Sequence, residues 1–223
     1  MNYAPAVGVK FNQDGTVRHF PGNTFICHID QSIDLIAELE WAQNQLKAMQ
    51  CAAKFSFLPI SSMHMTVFEG VCDQVRQPEK WTSKLPLDAP LAQTTDFFAS
   101  AVSQIGAHSG FEMMFDYVYN CPVGGTSIRI KPATDESDLA LKNCREQLRA
   151  STGINMPEFD DYHFHITLSY RIMELEESEK LELQQVAERI SERFSQSFGR
   201  LKHGAVEFCR FDDMFKFEPL LTL

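Results

Sequence analysis

From Tyr162 to Tyr170 polar and apolar positions alternate without a break, with His163, His165, Thr167 and Ser169 on one side and Phe164, Ile166, Leu168 and Tyr170 on the other. Period two marks a half-buried β-strand whose apolar set faces a core and whose polar set faces water or a cleft. Ser61–Gly70 alternates in the same way: Ser62, His64, Thr66 and Phe68 share one face, Met63, Met65 and Val67 the other, and Glu69 is carried to the side away from His64. Helical spacing separates these stretches. Leu35, Leu39, Ala42, Leu46, Met49 and Ala53 step by three and four behind a candidate cap at Ser32. Leu91, Thr94, Phe98, Val102 and Ile105 form a second stripe that Gly106 is placed to end, and Leu141, Cys144 and Leu148 a third between Thr134 and Gly153. Leu183, Val186, Ile190 and Phe194 form the last, before Gly199. Further strands are expected at 24–29, 113–119, 127–132, 205–211 and 214–219.

The order strand, helix, strand, helix, strand occurs twice, and matching positions keep step. Ile26 and Ile128 lie 102 residues apart, His64 and His165 lie 101 apart, and Gly106 and Gly199 lie 93 apart, the last pair shortened by one loop. This is the trace of a degenerate internal duplication. Half of such a repeat cannot cover its own sheet and must pack on its twin, so one bilobal domain over 1–223 is expected, with halves at 24–120 and 121–223. Residues 1–23, with a hairpin signal at Asp14-Gly15 and breakers at Pro21-Gly22-Asn23, read as an N-terminal appendage.

Composition narrows the function. A chain of 223 residues that is 44% hydrophobic can bury a substantial core. Its net charge of −10 opposes binding to long duplex nucleic acid, which needs a basic surface, and leaves a small anionic ligand in a local pocket open. No apolar run approaches the roughly 18 residues of a membrane span, and no basic segment followed by an apolar one opens the chain, so a cytoplasmic protein without membrane contact is expected. The six cysteines show no CxxC and no finger spacing, which favours reduced thiols over a metal centre. Oligomeric state leaves no mark on the sequence.

His64-Met65-Thr66-Val67 and His165-Ile166-Thr167-Leu168 both read His-x-Thr-apolar at matching places in the repeat. The spacing sets imidazole and hydroxyl on one strand face about 7 Å apart. Two imidazoles across a cleft suit in-line phosphoryl transfer, one taking a proton from the attacking oxygen and the other giving one to the leaving oxygen. The hydroxyls can donate to the non-bridging phosphate oxygens as charge builds. This arrangement needs no metal or other cofactor.

In these two tetrads the chain, over about 24–223, resembles the 2H phosphoesterases, a family of two-lobed α+β proteins. The resemblance implies an α+β fold of two pseudo-symmetric lobes, each an antiparallel sheet with packed helices, around a central groove that holds both motif strands. It implies His64, Thr66, His165 and Thr167 as the catalytic set. The substrate it implies is a small nucleotide-like molecule with a cyclic phosphate, such as a 2′,3′-cyclic nucleotide or ADP-ribose cyclic phosphate, or else an RNA end. A non-catalytic nucleotide or phosphate binding module on the same fold is the alternative. Members of the family often carry a basic residue soon after the second motif, where this chain has Tyr170 and then Arg171.

Four further side chains are candidates for substrate contact: Arg129 and Arg171 for a phosphate, and Phe68 and Tyr162 for a base or ribose. Each has a plainer reading, a paired strand arginine or a core aromatic. His163 shares its predicted face with His165, but the third and fourth ligands of a zinc site are not at any recognisable spacing. His28 reads as a strand residue with its hydrogen bonds satisfied, and His19, His108 and His203 as surface or loop positions.

Overall fold

The structure is a computed structural model and describes residues 2–223. In chain order the elements are β1 (Gly22–His28), α1 (Leu35–Lys47), β2 (Phe55–Phe57), β3 (His64–Cys72), α2 (Leu91–Val102), β4 (Glu112–Asn120), β5 (Gly125–Pro132), α3 (Asp135–Thr152), β6 (His165–Arg171), α4 (Glu177–Ser197), β7 (Arg200–Lys202), β8 (Glu207–Asp213) and β9 (Lys216–Thr222). All the strands join one antiparallel sheet in the order β7-β4-β5-β6-β3-β1-β8-β9, with the short β2 paired to β6. This is the expected α+β architecture.

The seam of the sheet lies between β6 and β3, which meet through the pair Met65–Ile166. From that seam the order runs β6-β5-β4 on one side and β3-β1-β8 on the other, so each lobe repeats the other with its motif strand innermost. The lobes exchange their third strands. β4, from the first half of the sequence, pairs with β5, and β8, from the second half, pairs with β1.

The helices form largely where their stripes predict. Leu35, Leu39, Ala42 and Leu46 are buried along α1, but Ser32 does not cap it: Asp30 Oδ1 accepts from the Ser32 amide and hydroxyl in a turn before the helix, and the N-cap is Asp34. α1 also stops at Lys47, short of Met49 and Ala53. α2 ends at Val102 with its C-cap at Ser103, so Gly106 lies beyond it. Thr134 caps α3, its hydroxyl accepting from the Ser137 amide at 3.1 Å, and Gly153 closes it in the left-handed region at φ 71°. A reciprocal pair of side-chain to backbone bonds between Glu176 and Glu179 opens α4.

The helices and sheet enclose one large core. A second, smaller cluster joins Phe11 and Phe20 to Leu58, Ile172, Phe211 and Met214. Residues 2–20 are thus a strap, not a free tail. The Ala4 amide donates to Ile172 O beyond β6, Ser56 Oγ donates to Gly15 O, and the Phe20 amide donates to Asp212 O in β8. Asp14-Gly15 turns this strap as expected, with Gly15 at φ 81° and Phe11 bridged to Val17. His203, expected at a surface or loop position, lies in the loop after β7 but is buried there, 3% exposed. All six cysteines are unpaired. Among the described residues no helix is long and apolar enough to cross a membrane.

Candidate active site

Both motif strands break their alternation at the same place. In β3, Phe25 and Ile26 of β1 face Phe68 and Thr66, so Val67 is an extra residue; in β6, Thr126 and Ser127 of β5 face Ser169 and Thr167, so Leu168 is extra. Such a bulge puts two successive side chains on one side and reverses the faces of the residues beyond it. Phe68 is therefore 1% exposed in the core, against Phe25 and Phe159, and not at a substrate surface as its strand period suggested. Ser169 turns inward with it. Glu69 and Tyr170 turn instead into the groove, which corrects the expected placement of Glu69.

Each bulge leaves a carbonyl that a buried side chain from the other half of the sequence takes up. Arg145 of α3 donates from Nη1 to Val67 O at 2.6 Å and from Nη2 to Phe159 O at 2.7 Å. Gln43 of α1 donates from Nε2 to Leu168 O at 3.1 Å and to Leu58 O at 2.7 Å. Gln43 and Arg145 are themselves 102 positions apart, so the clamp belongs to the repeat.

The pair Met65–Ile166 is flanked by His64 and Thr66 on one strand and His165 and Thr167 on the other, and all four side chains line one cavity of about 300 Å³. His64 Nδ1 lies 2.7 Å from Ser62 O and His165 Nδ1 lies 2.9 Å from His163 O. A carbonyl accepts only, so in each ring Nδ1 carries the proton and Nε2 is left as the free basic nitrogen. Burial pushes the His64 imidazole down to about 4, against the opposing pull of the Ser62 carbonyl. Burial also lowers His165, with the Arg129 charge adding to it. Both rings are neutral at pH 7.

The remaining candidates separate. Tyr162 lines the cavity, its ring 6.2 Å from that of His165, and burial raises its phenol. Arg129 pairs with His165 across β5 and β6 but does not line the cavity; its Nη1 donates to His163 O at 2.9 Å and its guanidinium lies 4.5 Å from the Tyr119 ring. Arg171 points away from the groove: the bulge at Leu168 reverses it, and its Nη1 donates to Pro122 O in the β4–β5 turn. Tyr170 holds the groove position instead. His163 is exposed, and among the described residues it belongs to no group of three metal-ligand side chains. His28, Glu207 and Cys209 form such a group, with His28 Nδ1 2.5 Å from Glu207 Oε2.

Sequence reasoning missed Lys10, Lys80, Phe20, Phe211, Met214 and Phe217 as groove residues. Phe217 packs against the first motif, its ring 4.3 Å from that of His64. The usable signal was weak: Lys10 and Phe20 sit on a segment without periodicity, and β9 reaches the groove only through the exchange of outer strands.

Residues 10–120 match a family model described as 2H-phosphodiest, a domain of unknown function (DUF1868). The chain belongs to the 2H phosphoesterase superfamily. It is similar throughout its length to ATU0111, a conserved protein of unknown function from Agrobacterium tumefaciens, at 29% identity and a TM-score of 0.91 over 94% of that chain. E. coli LigT in its apo form shares the superfamily fold at 12% identity and a TM-score of 0.51, over 92% of this chain and 98% of that one. TT0787 of Thermus thermophilus does so at 11% identity and 0.52, over 90% and 96%. No curated protein matches the chain in sequence. Membership of the superfamily supports an activity of phosphodiesterase type.

Proposed function

We propose that the chain is a metal-independent phosphodiesterase that opens a cyclic phosphate on a small nucleotide-like molecule, with His64 and His165 as its acid and base. The observation that carries this reading is the equivalence of the two imidazoles: each is fixed by a backbone carbonyl two residues upstream, and each offers Nε2 as its free nitrogen in one cavity. One imidazole takes a proton from water as its oxygen bonds to phosphorus. The other, protonated, gives its proton to the ribose oxygen as that P–O bond breaks. The product is a phosphate monoester, and the two histidines have exchanged protonation states. The Thr66 and Thr167 hydroxyls donate to the non-bridging oxygens, where charge grows in the transition state.

The test is hydrolysis of 2′,3′-cyclic nucleotides and ADP-ribose cyclic phosphate in the presence of chelator. His64→Ala and His165→Ala are each expected to lower kcat by about 10²- to 10⁴-fold with the fold intact. Near-normal turnover in either variant would end the two-histidine reading, and nucleotide binding without turnover in the parent protein would make the chain a binding module.

A further inference from the structure

The cations that line the groove are Lys10, carried by the strap, and Lys80, from the connection after β3, and its one lining carboxylate is Glu69. Neither lysine stands within ion-pair distance of a carboxylate among the described residues. Lys10 is instead set over two rings, Phe20 and Tyr170, with Nζ 5.2 Å from each centroid. Aromatic faces orient an ammonium without neutralising it. Glu69 lies three residues beyond Thr66 on the same strand, about 7 to 10 Å along it, and the charges of both lysines act on it, so this end of the lining stands about one nucleoside length from Thr66. Burial raises the Glu69 carboxyl, while the Lys10 and Lys80 charges pull it back down.

A chain of net charge −10 thus places two unpaired ammonium groups at one end of a phosphate-handling groove. We propose that Lys10 and Lys80 bind a second phosphate that does not react, so that the substrate is a nucleotide carrying another phosphate beside the one cleaved. This rests on the reading of the groove as a cyclic-phosphate site. Lys10 is then a specificity residue, and the strap is the device that delivers it.

Calorimetry with four product-like probes tests this: adenosine 2′- and 3′-monophosphate, and adenosine 2′,5′- and 3′,5′-bisphosphate. The parent protein is expected to bind at least one bisphosphate about 10- to 100-fold more tightly than the matching monophosphate, the worth of one charge-assisted hydrogen bond. Lys10→Met is expected to reduce that ratio to about threefold or less, while Lys10→Arg, which keeps the charge, retains it. Equal affinity of the parent protein for the two kinds of probe, or an undiminished ratio in Lys10→Met, would overturn the proposal and leave the groove reading standing. A parent protein that binds none of the four would overturn both.

Discussion

His64 and His165 are built as a matched pair, and under the proposed function their shared burial sets how activity should depend on pH. In the proposed reaction the base must be unprotonated and the acid protonated, so kcat/KM of the free protein should trace a bell between the two histidine values. Both are depressed, His64 to about 4 and His165 below its ordinary range, so the maximum belongs on the acid side of neutrality. A pH profile on a cyclic nucleotide should peak between about 4 and 6.5, and a maximum above pH 7.5 would show that the imidazoles are not desolvated as the geometry requires. His203 gives a stability counterpart. It is 3% exposed, neither ring nitrogen has a hydrogen-bond partner, and burial pushes it down to about 4. A group depressed in the folded state binds its proton more tightly when unfolded, so stability is lost as pH falls from about 6.5 to 4. Over that window His203 should account for about 3 kcal/mol of the loss. His203→Phe should flatten the fall in Tm between pH 7 and 4.5, and an unchanged fall would place the titrating groups elsewhere. The His-x-Thr spacing was legible because it is local and needs only period two; the burial of His203, between short strands that leave no periodic trace, was not.

At the scale of elements, the alternation could not foretell the pair of bulges after Thr66 and Thr167. A bulge is stable only if its displaced carbonyl finds a donor, and here the donors are Arg145, 78 residues from Val67, and Gln43, 125 residues from Leu168. Nothing near either motif marks them, so unbroken alternation puts Phe68 and Arg171 in the groove, turns Glu69 away from it and makes Tyr170 a core position. The helices were legible because their stripes bury one face, and Ser32 failed as a cap because Asp30 claims its hydroxyl first. The two clamps should differ in energy. Val67 O relies on Arg145, whereas Leu168 O also accepts from the Leu58 amide at 3.1 Å. Arg145→Met strands a buried carbonyl and removes a guanidinium stacked 4.5 Å from the Tyr162 ring, so a loss of about 3 kcal/mol is expected, with kcat falling as Thr66 shifts. Gln43→Leu should cost about 1 kcal/mol. Urea unfolding of both variants decides the matter, and equal losses would mean that the bulge carbonyls are not held by these side chains.

For the whole molecule, the constant 101 to 102 residue offset revealed the duplication, because matching elements recur in order whatever their pairing. It did not reveal that β4 and β8 cross to the opposite lobes, since exchange leaves the sequence pattern of each strand unchanged. The same blindness hid the strap. Its residues carry no period because they border a groove and do not join a layer, and the large side chains buried there are Phe11 and Phe20. Because this second cluster is separate from the main core, the strap should open on its own, at a lower free energy than the sheet. Phe11 is fully buried, and Phe11→Ala should cost about 3 to 5 kcal/mol of local stability. Hydrogen exchange would then show the amides of Gly8, Asn12, Arg18 and Phe20, all bonded within or beside the strap, losing protection together. The amides of β3 and β6 should keep theirs, since the pairs that hold them do not pass through Phe11. Loss of protection spread evenly over strap and sheet would make the molecule one cooperative unit, with the strap as much a part of its core as the motif strands.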